Sequence, residues 1–136
     1  PKFSKILEML RKKNVRCEIH NAASAKSKEY YIKCFKANPD AEWIFGIDGL
    51  PEESHMYRVN QDGEKLFNIM VESKKYLKNK PIWQYIVFSY NETHIEQAKK
   101  LAKEVDVPFM LIQSSRWEGD DDPLKPKNKE VALNAL

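Results

Sequence analysis

Between Phe3 and Ile112 the hydrophobic pattern switches four times from a helical spacing to a short strand-like run, and that repetition leaves few folds open. Residues 3–13 put Phe3, Ile6, Leu7 and Leu10 on one side of a helix, with Lys5, Glu8, Arg11 and Lys12 mostly on the other, and Asn14 stops it. Val15 to His20 then alternates apolar and polar residues, as a strand does. A second helix over 27–37 carries Tyr31, Ile32 and Phe35, and Asn38-Pro39-Asp40 ends it before a strand from Glu42 to Ile47. The third helix is expected from Glu64 to Lys78, with Asp62-Gly63 at its start, followed by a strand from Ile82 to Phe88 rich in aromatic and β-branched residues. Asn91 reads as the N-cap of a fourth helix from Glu92, with Ile95, Ala98, Leu101 and Ala102 as its buried stripe, and Phe109 to Ile112 is the fourth strand. Helix-then-strand units in succession predict an α/β fold with a parallel sheet and right-handed crossovers.

A length of 136 residues admits one domain with a real core. No apolar run approaches the roughly 20 residues that span a bilayer, which argues against a membrane role. The opening Pro1-Lys2-Phe3-Ser4-Lys5 lacks the basic-then-apolar layout of a signal peptide, so a cytoplasmic location is expected. Cys17 and Cys34 match neither a zinc pair nor a thioredoxin-like pair and read as reduced, partly buried thiols. With 23 basic against 20 acidic side chains, the charge is too balanced to predict nucleic-acid binding. Lys74, Lys75, Lys78 and Lys80 fit a solvated helix end, where cations complement the helix dipole. Beyond residue 117 the acidic run Asp120 to Asp122 and the prolines at 123 and 126 mark 118–136 as a mobile or loosely packed tail.

The apolar run Trp43-Ile44-Phe45-Gly46-Ile47 ends at Asp48-Gly49-Leu50, and in parallel α/β sheets that end of a strand faces the ligand. His20 and Asn21 follow the first strand, Tyr90 and Asn91 the third, and Gln113, Ser114 and Ser115 the fourth. In a parallel sheet all of these gather on one rim. Each also has a plain structural use: Asp48-Gly49 as a turn pair, Asn91 as a cap, His20 as a surface residue.

The block from Phe45 to Leu50, with His55, Tyr57 and Arg58, resembles the S/G-I-D-G-L…H-x-Y-R signature of radical S-adenosylmethionine (SAM) enzymes, especially the peptide-modifying and sulfatase-maturing branch. The likeness continues through Trp83 to Phe88, Asn91-Glu92, Ala98 to Ala102 and Ser114 to Trp117, and spans residues 1–117 in collinear order. It implies part of a (β/α) barrel that binds SAM and a 4Fe-4S cluster at its C-terminal rim and generates a 5′-deoxyadenosyl radical for hydrogen abstraction. The substrate is unknown, with a peptide as one class. By the same likeness Gly46 sits near the methionyl group of SAM, and Asp48 shapes the pocket floor or binds substrate or SAM. Arg58 pairs with a carboxylate, of the ligand or of Asp48 or Glu53, and Asn91 bonds the nucleoside or caps its helix. His20 and Gln113 complete the expected rim.

The family's CxxxCxxC loop and its GGEP-like step are absent from this sequence, and Pro1-Lys2-Phe3 resembles the segment just after that step. Where relatives carry T-N-G, this chain has Asn21-Ala22-Ala23. Either the chain belongs to a longer protein whose earlier residues carry both motifs, or it is a short relative without a cluster. As a segment it is expected to be inactive alone, to bind neither cofactor tightly, and to form homo-oligomers through an exposed sheet edge. A second expectation, from a different class, is a small flavodoxin-like binding or regulatory module in which Asp48 binds a cation or accepts a phosphoryl group. A third, an interaction domain, draws only on the lysine-rich surface.

Overall fold

The computed structural model describes residues 2–128. Helix α1 (Phe3–Lys12) ends with Arg11 and Lys12 in its last turn, and Asn14 leaves it in the left-handed region at φ 55°. Strand β1 (Glu18–Asn21) follows. Helix α2 (Lys28–Ala37) begins at Ser27, whose hydroxyl accepts the Tyr30 N–H at 3.2 Å, and leads into β2 (Glu42–Gly46). A short 3-10 turn (Ser54–Met56) precedes α3 (Gly63–Ser73), which Asp62 caps by accepting the Lys65 N–H at 3.0 Å. Strand β3 (Ile82–Val87), helix α4 (Ile95–Glu104) and strand β4 (Phe109–Gln113) complete the order.

Two helix boundaries differ from expectation. Helix α3 stops at Ser73 because the chain then tightens, the Lys74, Lys75 and Tyr76 N–H groups bonding three residues back to Val71, Glu72 and Ser73, and Lys78 N–H bonding to the carbonyl of Pro39 at 2.9 Å. Helix α4 starts at Ile95 rather than Glu92, and its N-cap position is His94. Asn91 does not cap it: the side chain closes the preceding turn, accepting the Phe88 N–H at 2.8 Å and donating to the Ile86 carbonyl at 2.9 Å.

The four strands are all parallel, in the order β1-β2-β3-β4, with Ile19 beside Trp43 and Phe45 beside Trp83. A sheet whose neighbours are consecutive in sequence, each joined by a helix, places its crossovers on one face. The core bears this out. Trp43, Phe45, Ile47, Trp83, Tyr85 and Val87 are buried with Leu7 of α1, Tyr31 and Phe35 of α2, Leu66 and Met70 of α3 and Ala98 of α4. The alternate positions Ile44, Ile82, Ile86, Met110 and Ile112 lie outside that core, on the opposite face of the sheet. The chain is therefore α/β, and its described residues form four helix-strand units, an arc of a (β/α) barrel with edges at β1 and β4.

Among the described residues no helix is long and apolar enough to cross a membrane. The lysines after α3 are tied down: Lys78 to Asp40 at 2.7 Å, Lys80 to Asp106 at 2.9 Å, and Lys74 to the Val105 carbonyl at 2.6 Å. Cys34 is buried and Cys17 half-buried, both free. After residue 117, Leu124 and Pro123 accept hydrogen bonds from Ser89 N–H and Oγ at 2.9 and 2.5 Å, while Lys127 and Asn128 donate their N–H groups to Glu92. The rest of the expected tail, from residue 129, lies outside the described residues.

Candidate functional site

Strand β2 delivers Gly46 and then Asp48 to the C-terminal rim of the sheet. Asp48 is fully buried. Its backbone N–H bonds to Ser54 Oγ at 2.9 Å, and its Oδ1 accepts the Ile86 N–H at 2.8 Å, so a side chain continues the β2–β3 pairing where the backbone of β2 turns away. The other oxygen, Oδ2, lies 2.8 Å from Arg58 Nε. The two meet as a close ion pair rather than a well-directed hydrogen bond, and neither atom has another polar partner among the described residues. Burial pushes the Asp48 carboxyl above the usual carboxylate range, while the Arg58 charge and the Ile86 N–H pull it down.

Arg58 is held from behind and open in front. Its guanidinium passes over Gly46, where an added Cβ would sit 2.8 Å from Nη2, and its side chain keeps a quarter of its surface exposed. Among the described residues no acceptor binds Nη1 or Nη2. These donors face a notch of about 220 Å³ lined by His20, Asn21, Ala22, Ile44, Gly46, Arg58 and Gln84. A planar, permanently charged fork above a bare backbone is suited to a carboxylate or phosphate group.

The loop that carries Arg58 is fixed by a buried polar network. Gln61 Nε2 donates to the carbonyls of Ala22 at 2.8 Å and Gly46 at 2.9 Å, and Gln61 Oε1 accepts from Ser54 Oγ at 2.5 Å. Gln61 and Ser54 together thus tie the ends of β1 and β2 to the loop. On its far side, Glu53 accepts the Leu50 N–H at 2.9 Å and meets His94 Nδ1 at 2.9 Å, joining the loop to the start of α4. Gly49 makes that possible, with φ 129° and the Glu53 side chain packed where a Cβ would stand. Tyr90 donates its hydroxyl to the Asp48 carbonyl, and burial raises its pKa, so it stays a neutral donor. Tyr57 and Phe88 stack above this rim at 4.2 Å.

The expected site residues divide. His20, Gly46 and Arg58 share the notch, with Asp48 directly beneath Arg58. His20 is exposed and pairs with Glu18 at 2.7 Å. Asn91 is fully buried with its amide spent on its own turn. Gln113 stands in register with Val87, on the helix-covered face, away from the notch. Gln84, Ser54 and Gln61 were not anticipated. Gln84 was legible as a polar residue inside an apolar strand, whereas Gln61 reaches Ala22 across 39 positions and carries no local signal. Among the described residues no group of three or more His, Cys, Asp or Glu side chains is arranged to hold a metal ion. No family model, curated protein or solved structure matches this chain.

Proposed function

We propose that the chain is the central to C-terminal part of a radical SAM enzyme core acting in the cytoplasm, with the Arg58 notch receiving the carboxylate of SAM. The observation that carries this reading is the guanidinium over Gly46, its Nη1 and Nη2 without acceptors among the described residues and its Nε held by buried Asp48 at the C-terminal rim of a barrel arc. When bound, SAM would supply the adenosyl group from which a hydrogen-abstracting radical is made. This chain's own residues do simpler work. Arg58 orients the carboxylate, Asp48 holds Arg58 in place, Gly46 keeps the floor bare, and Ile44 lines one wall of the notch.

The iron-sulfur cluster is a different case. Three thiolates are required, and the sequence has only Cys17 and Cys34, one beside β1 and one in α2. These residues do not fit a cluster, so in this reading its ligands come from outside residues 1–136. The β1 edge is then where further barrel strands would pair, and the isolated chain would self-associate there. A flavodoxin-like module using Asp48 has less in its favour, since a phosphoryl acceptor or cation ligand needs an open carboxylate and Asp48 has both oxygens engaged.

Titrating the chain with S-adenosylhomocysteine while following backbone amide shifts tests the proposal. Changes centred on Gly46, Ala22 and Gln84 are expected, weakened roughly 10-fold or more in Arg58→Ala and less in Arg58→Lys, as befits loss of a charged hydrogen bond. Absence of shifts at millimolar ligand, or equal shifts in the alanine variant, would refute it.

A further inference from the structure

The near balance of charge over the whole chain conceals a strong segregation along it. Residues 1–36 carry ten basic and three acidic side chains, whereas the remainder carries thirteen and seventeen. The fold then concentrates part of that excess in one place. Helices α1 and α2 pack side by side, and between them runs a shallow groove of about 640 Å³, on the helical layer and separate from the rim notch. Lys5, Arg11 and Lys12 project from one stripe of α1, and Lys33 and Lys36 from one stripe of α2, so cations stand on both walls.

Their pairing state is informative. Arg11 is engaged with Asp40 at 3.6 Å and Lys12 with Glu8 at 3.1 Å, Glu8 being the one acid in the lining. Lys5, Lys33 and Lys36 are exposed, and none has a carboxylate partner among the described residues. The Lys36 ammonium lies over the ring of Tyr76 at 5.6 Å, a cation–π contact that brings it no neutralising negative charge. Three cations without carboxylate partners along one groove suit a ligand that carries several negative charges along its length. An anionic lipid surface is a poorer match. Binding in a bilayer interface needs apolar side chains to insert beside the cations, and the groove offers only Ala37.

We propose that the α1–α2 groove binds the phosphate backbone of a nucleic-acid strand, with Lys5, Lys33 and Lys36 as the principal contacts. The groove holds phosphates without base-reading groups, so binding is independent of sequence and governed by counterion release.

Fluorescence anisotropy of the full chain with a labelled oligothymidylate of about 20 nucleotides tests this, run across a salt series. Three phosphate contacts at the single-strand slope predict a loss of affinity of about 20-fold between roughly 50 and 200 mM salt. The triple variant Lys5→Glu, Lys33→Glu, Lys36→Glu should lose at least about 10-fold at low salt. A control with the same change in charge on α4, Lys99→Glu, Lys100→Glu, Lys103→Glu, should bind within about 2-fold of the parent if the groove, and not net charge, is responsible. Circular dichroism of both variants confirms the fold, which these exposed positions leave intact. The proposal is overturned if the parent fails to bind at low salt, or if the groove and α4 variants weaken equally. It is also overturned if the chain prefers phosphatidylserine vesicles to the oligonucleotide.

Discussion

At the scale of single residues, Gly46 and Asp48 decide where a charge can stand. An alanine at 46 would bring a Cβ to 2.8 Å from Arg58 Nη2, so the guanidinium must move off its floor and loosen from Asp48. Gly46→Ala is expected to cost about 1–3 kcal/mol in chemical denaturation and to erase the ligand-induced amide shifts at the notch; unchanged shifts would mean that Arg58 does not use that floor. Asp48 makes a prediction in pH. Because burial raises its carboxyl pKa in the folded chain, ionisation is less favourable there than in the unfolded chain. Its contribution to stability is therefore full below the unfolded value of about 3.9 and declines as pH rises through the folded value. Urea melts across that range should show the parent losing stability with rising pH relative to Asp48→Asn, the difference levelling off above it. A difference of the opposite slope would show that the Arg58 charge outweighs burial.

At the scale of elements, the rim is assembled by side chains that substitute for backbone pairing. Asp48 continues the β2–β3 ladder through Ile86, and Gln61 bridges the ends of β1 and β2 with one amide. Gln61→Leu keeps the volume but leaves the Ala22 and Gly46 carbonyls without their donor. The expected cost is about 2–4 kcal/mol, read as a lower denaturation midpoint at unchanged m-value. A loss below about 0.5 kcal/mol would mean that water replaces the amide. The same preference for tertiary use explains the late start of α4. Asn91 is a good cap in isolation, but its amide is worth more closing the buried turn between Phe88 and Ile86. Helix periodicity, with Leu66, Ile69, Met70 and Leu77 on one side, extends α3 to Lys78; the chain instead tightens after Ser73 and still buries Leu77.

For the whole molecule, one core joins residues of all four helices to one face of the sheet. Such a chain should unfold as a single cooperative unit. Near-ultraviolet signals from buried Trp43 and Trp83 and the far-ultraviolet helical signal should trace one coincident transition. Separate transitions would show that α1 and α2, with β1 at the sheet edge, form a unit of their own. The opposite face, with Ile44, Ile82, Ile86, Met110 and Ile112, belongs to no core among the described residues, which is the arrangement of a barrel arc rather than of a sheet covered on both sides.

Period and punctuation in the sequence were enough for the four helix-strand units, their parallel pairing and the arrival of His20 and Asp48 on a common rim, because these depend on local spacing and on the handedness of crossovers. The approach of Arg58 over Gly46, the diversion of Asn91 and the turning of Gln113 toward the helices were settled only when the strands came into register. Which polar groups are left for a ligand depends on competition for buried hydrogen-bond partners far apart in the chain, and no local pattern records the outcome of that competition.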